Sequence, residues 1–140
     1  MNFSDAFARL GYKLSNIRTD WTAVAPHGVC LSIWKSELVK PKGGIPYWDL
    51  FELHPTGGGD WTQKPGHAKR SKHLQIAMSE FGGVVDAVLL DGSSSEPIEA
   101  AHPWLASERK GARWKITRFD PASGFFRAEI TPPLATETKV

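Results

Sequence analysis

Residues 21–34 read Trp-Thr-Ala-Val-Ala-Pro-His-Gly-Val-Cys-Leu-Ser-Ile-Trp, and this stretch decides the fold. Two short apolar runs flank a Pro26-His27-Gly28 turn, the pattern of a β-hairpin. Side chains alternate along a strand, so Val29, Leu31 and Ile33 fall on one face and Cys30, Ser32 and Trp34 on the other. Trp21 and Trp34 then stand side by side at the open end of the hairpin. A second hairpin is predicted at the far end of the chain, with Ala112 to Phe119 and Phe125 to Thr131 joined by Asp120-Pro-Ala-Ser-Gly124. Hairpins at both ends imply a largely antiparallel or mixed sheet.

Working inward, Ser4 reads as the cap of a short helix over residues 5–10, stopped by Gly11. Pro46 to His54 is predicted as a third strand. A Pro-Thr-Gly-Gly-Gly connection follows, and three consecutive glycines resist regular structure. After Pro65-Gly66, Leu74, Ala77, Met78 and Phe81 keep the spacing of a packed helix face, ended by Gly82-Gly83. Val84 to Leu90 is almost wholly apolar and reads as a central strand covered on both faces. Asp91 to Ser95 is predicted as a loop, and a short helix is expected around 104–109. The fold class that results is α+β: a curved, mixed or mostly antiparallel sheet, or small open barrel, of about six strands with two flanking helices.

A length of 140 residues suits one domain, expected over residues 1–131, with 132–140 as a flexible tail. No apolar run approaches the roughly 20 residues of a membrane span, and the N-terminus lacks a signal peptide's pattern. Cys30 is the only cysteine, which excludes an intrachain disulfide and a multi-cysteine zinc site. The expected setting is the cytoplasm of a bacterium or a phage host, with no membrane partner, no metal and no cofactor.

Charge is focused in residues 61–73, which hold Lys64, Lys69, Arg70 and Lys72 together with His67 and His73. These four cations exceed the net charge of +2, and no acidic residue lies between Asp60 and Glu80. Two readings compete: a solvated helix face, or a helix start that holds phosphate through free amides and adjacent cations. The acid-free window favours the second, with the Arg70 stem packed and its guanidinium reaching outward. Of six tryptophans, Trp21, Trp34, Trp48 and Trp61 are candidates for a pocket that stacks on a planar ligand; core filling is the plainer alternative.

Asp86 stands alone in an apolar strand, so it is either paired with a cation or available to hydrogen-bond a ligand. Alternation along 46–54 places Trp48, Glu52 and His54 on one face and Asp49 on the other, with Glu52 and His54 as a conceivable acid/base pair. No Glu-X-Lys, His-Glu-X-X-His, paired-cysteine, Gly-X-Ser-X-Gly or Gly-X4-Gly-Lys-Ser/Thr motif is present, so no catalytic residue is assigned.

The run from Trp61 through Gly66-His-Ala-Lys-Arg70-Ser-Lys-His-Leu74, followed by the strand Val84–Leu90, resembles the Arg-rich helix and following strand of PUA-like domains of the EVE, YTH, ASCH and SRA branches. The likeness covers roughly 30 of the 140 residues. It implies a small curved-sheet barrel with flanking helices that recognises a modified base through aromatic residues, without catalysis. Together these readings point to a nucleic-acid-binding module, for DNA or RNA. The alternatives are a protein-interaction factor, such as an accessory or anti-defence protein of a bacterium or mobile element, and a small acid/base hydrolase or nuclease.

Overall fold

The alternating run 28–34 has apolar side chains on both faces, so it must be covered twice. In the computed structural model, which describes residues 1–92 and 100–131, it forms strand β2 (Gly28–Trp34). Its hairpin partner is β1 (Thr22–Ala25), with Thr22 opposite Leu31 and Ala25 opposite Gly28. Val29, Leu31 and Ile33 enter one core cluster; Cys30, with Trp34 packed beside it, enters a second. The two layers of helix follow from that division. Helix α1 (Phe3–Arg9) brings Ala6 and Phe7 to the second cluster, and helix α3 (Pro65–Glu80) brings Leu74 and Ala77 to the first.

Strand β4 (Val84–Asp91) lies parallel to β2, with Cys30 opposite Asp86 and Trp34 opposite Leu90. A parallel pair needs a long crossover, and the segment carrying α3 supplies it. The chain passes from α3 into β4 through Gly82 and Gly83, both with positive φ (61° and 81°), a conformation open to residues without a Cβ. The Gly83 amide donates to the Ala77 carbonyl and closes the helix end.

The second edge of β4 is divided. Val84 and Val85 pair with Lys115 and Trp114 of β6 (Arg113–Asp120), while Val88 to Asp91 pair with β5 (Ala100–Pro103). Strand β6 forms a hairpin with β7 (Phe125–Thr131), and β3 (Tyr47–Asp49) closes the far edge against β7. The order is β1-β2-β4-β6-β7-β3 with β5 attached to β4, an open seven-stranded sheet in an α+β fold. Among the described residues every strand pairing but β2–β4 is antiparallel.

Several local expectations change. The cap of α1 is Asn2, whose side chain accepts from the Asp5 amide; Ser4 lies inside the helix. The third strand stops at Asp49 instead of running to His54. The Asp49 carboxylate accepts from the Phe51 and Glu52 amides and so starts a single turn, α2 (Leu50–Leu53), making three α-helices among the described residues in place of two. The shared face proposed for Trp48, Glu52 and His54 is lost with it. Around 104–109 a 3-10 turn, Ala106–Glu108, replaces the expected helix, and β5 precedes it. The predicted tail at 132–140, and most of the loop after Asp91, lie outside the described residues.

Candidate functional site

A cleft of about 420 Å³ opens where β2 and β4 end, with Trp34 and Leu90 on one wall. This volume is within the range of about 300–1,000 Å³ common for ligand sites. The chain crosses over from β2 to β4, so α3 runs back along the sheet and its first half faces the strand ends. Arg70 lines the cleft from that helix, and Lys64 from the extended residue just before it. The four candidate tryptophans all converge here: Trp21 from just before β1, Trp34 from β2, Trp48 from β3 and Trp61 from a 3-10 turn, Asp60–Gln63. Trp104 and Trp114 instead pack edge to face in the core, 5.6 Å between centroids.

Each ring is held. The Trp48 indole meets Phe126 edge-on at 5.1 Å and donates its N–H to Glu37 Oε1 at 3.0 Å. Trp61 stacks on Phe125 at 5.8 Å, 18° from parallel, and touches His54 and His67. The Trp21 carbonyl accepts from the amide and hydroxyl of Ser32. Its indole lies on Gly66, where an added Cβ would come within 2.5 Å of Trp21 Cδ2.

That contact corrects the proposed anion site at the helix start. Pro65 has no N–H, and Gly66 is buried beneath an aromatic ring. The cations are also reassigned. Lys69 forms an ion pair with Asp20, 2.8 Å to Oδ1, and bonds Ser15. Burial disfavours the Asp20 carboxylate, but Lys69, the Asn16 amide and Ser15 hold its pKa below the usual value. The acid-free window in the sequence therefore hid a partner 49 positions away. His67 is buried and donates from Nε2 to the Ser123 carbonyl oxygen, and His73 is joined to Thr22 Oγ1 through Nδ1 at 2.6 Å. Burial pushes both imidazole pKa values down. Neither is a free cation at neutral pH. Lys72 is exposed but borders a different, shallower groove near Pro121–Gly124. Of the six basic candidates, Lys64 and Arg70 alone line the cleft.

Arg70 does so in an unexpected way. It is 5% exposed, not outward-reaching. Its guanidinium carbon lies between four aromatic rings, 4.9 Å from Trp21, 5.7 Å from Trp48, 5.9 Å from Trp61 and 5.1 Å from Phe126. Nε has no hydrogen-bond partner among the described residues. Desolvation pushes the pKa down to about 10, partly offset by the charge of Glu37, so the group stays cationic at neutral pH. A buried cation without a paired acid is costly unless something else supplies acceptors.

Asp86 is elsewhere, four residues along β4 from Leu90, about 13 Å at strand rise. Both its oxygens are occupied, Oδ2 by the Tyr12 hydroxyl at 2.6 Å and Oδ1 by Arg113 at 3.0 Å. This settles its alternatives in favour of pairing and removes it from the ligand site. Glu52 accepts from Tyr47 and Arg127, while His54 lines the cleft against Trp61, so the suggested acid/base pair is not assembled. Among the described residues no group of three His, Cys, Asp or Glu side chains could hold a metal ion, and no helix is long and apolar enough to cross a membrane.

Sequence reading missed Arg18, Asp20, Ser32 and Glu37 at the cleft, and Phe126 behind Arg70. Phe126 carried a signal, its place in the alternating run 125–131; Glu37, in a 3-10 turn after β2, carried none. No family model, curated protein or solved structure matches the chain, so the reading of this cleft rests on its own geometry.

Proposed function

We propose that the chain is a nucleic-acid-binding module that takes one unstacked base of DNA or RNA into the tryptophan-lined cleft. The observation that carries this is Arg70, a buried guanidinium without an ion-pair partner among the described residues, held among aromatic rings at a cavity of ligand size. Aromatic walls stack on a base face, worth about 1–3 kcal/mol per base, and Arg70 supplies donors to its edge. Lys64 and Arg18, exposed at the cleft, are placed to meet the adjoining backbone. Capture of a base is favoured over broad backbone binding because Lys69, His67 and His73 are already engaged within the protein. Reading of a modified base, as the PUA-like resemblance implies, is the narrower form of the same proposal, and a cytoplasmic setting goes with it.

The test is a titration of intrinsic tryptophan fluorescence with short single-stranded DNA and RNA. Binding should quench emission, weaken with added salt, and fall at least tenfold in Arg70→Met. Unchanged emission with every oligonucleotide would remove the proposal.

A further inference from the structure

The polar groups of the cleft divide into those already used and those free to meet a ligand. Asp20 is used: its oxygens take Lys69, Ser15 and the Asn16 amide. The Ser32 hydroxyl is used, donating to the Trp21 carbonyl at 2.7 Å. Arg70 Nε is sealed from solvent and without a partner among the described residues, which leaves the two terminal nitrogens of the guanidinium as the donors that can meet a ligand in the cleft. Glu37 is half free. Its Oε1 takes the Trp48 indole N–H, and its other oxygen has no hydrogen-bond partner among the described residues, beside the same cavity.

A donor fork and a carboxylate flanking an aromatic slot discriminate between bases. The fork needs two adjacent acceptors, and an ionised carboxylate can only accept. Guanine presents O6 and N7 to the fork, and N1–H with its 2-amino group to the carboxylate. Adenine sets an amino donor next to N7, which faces a guanidinium badly. Thymine and uracil separate their acceptors with an N–H. Cytosine has one suitable acceptor pair, but a smaller face and a single donor group. Arg on guanine O6/N7 is the commonest specific base contact.

We propose that the cleft selects guanine, with Arg70 on the O6/N7 edge and Glu37 on the N1–H and 2-amino edge. The inference rests on the base-capture reading above.

The test is calorimetric titration with the four nucleoside monophosphates and with oligothymidine carrying one central guanine, adenine or cytosine. Guanine should bind about tenfold or more tighter than the others. Inosine monophosphate, which lacks the 2-amino group, and 7-deazaguanosine monophosphate, which lacks N7, should each lose at least fivefold. Glu37→Gln keeps an acceptor for Trp48 but removes a charge that favours the Arg70 cation, so it should lower the melting temperature slightly while erasing most of the guanine preference and leaving the chain folded. Equal affinity for all bases, or preference for cytosine, would overturn the selectivity and leave base capture standing. An unchanged preference in Glu37→Gln would overturn the role of Glu37. Failure of every nucleotide and oligonucleotide to bind would overturn both readings.

Discussion

The guanidinium carbon of Arg70 lies 4.9 Å from the centre of the Trp21 ring, in a setting where only 5% of the arginine reaches solvent. Cation–π attraction offsets part of the desolvation cost, by about 0.5–2 kcal/mol. Replacing Arg70 with methionine removes both terms and keeps most of the volume. Stability in urea should therefore stay the same or rise, by up to about 2 kcal/mol. Ligand affinity should fall at least tenfold. An arginine serving only as packing would give the opposite pair of results, a lower melting temperature with intact binding.

Gly66 is where α3 and Trp21 touch, and the ring occupies the space that a methyl group would need. Gly66→Ala should displace Trp21 and cost about 1–3 kcal/mol, as overpacking does. Because the displaced ring is a wall of the cleft, affinity should fall too. Urea denaturation and the fluorescence titration, run on one preparation, check both effects.

Lys69 and Asp20 form a pair in which the acid is 4% exposed and the lysine side chain 34% exposed. Removing the lysine leaves a buried carboxylate without its cation. Lys69→Met should cost about 2 kcal/mol, and Lys69→Met combined with Asp20→Asn should recover part of that. A double-mutant cycle showing no coupling between the two positions would contradict the pairing.

Acid should weaken the fold in a defined window. His67 and His73 have pKa values lowered mainly by burial. Above the ordinary imidazole value of about 6.5 both states are neutral and stability is unaffected. As pH falls below it, the unfolded chain takes up protons that the folded chain resists, so folding free energy declines. The lowered Asp20 pKa adds a further loss in the carboxylate range. Urea midpoints should drop between pH 7.5 and pH 5.5, and His67→Gln with His73→Gln should flatten that slope.

Salt dependence separates the two exposed lysines of the segment 61–73. Lys64 borders the cleft and Lys72 does not. If Lys64 meets a phosphate, Lys64→Ala should reduce the slope of log affinity against log salt by about one. Lys72→Ala should leave the slope unchanged.

The elements that alternation or helical spacing specifies were legible in the sequence: both hairpins, α3 and β4. So was the list of four tryptophans that line the cleft. What was hidden depends on partners distant in the chain. Whether Asp49 continues a strand or caps a turn depends on its side chain finding the Phe51 amide and Arg127, and strand-like residues around it mask that choice. Strand β5 was obscured because Pro103 ends it, although it pairs with β4 while leaving that proline at the margin. The charge run misled for a related reason. Local sequence records which cations are present, but not that Asp20 meets one of them or that aromatic rings enclose another.

The turn begun by Asp49 has a consequence for how such a protein can change over generations. It ends the sheet early and sends the chain out as an arch, from His54 to Trp61, whose glycines at 57–59 are exposed and take no part in the core. Lengthening a loop of this kind costs little, about 0.6 kcal/mol for each doubling. Insertions there would re-aim Trp61 and His54 while β2, β4 and Arg70 stay in place. The scaffold and the deep cation can thus be inherited together, with ligand preference left free to drift at the rim.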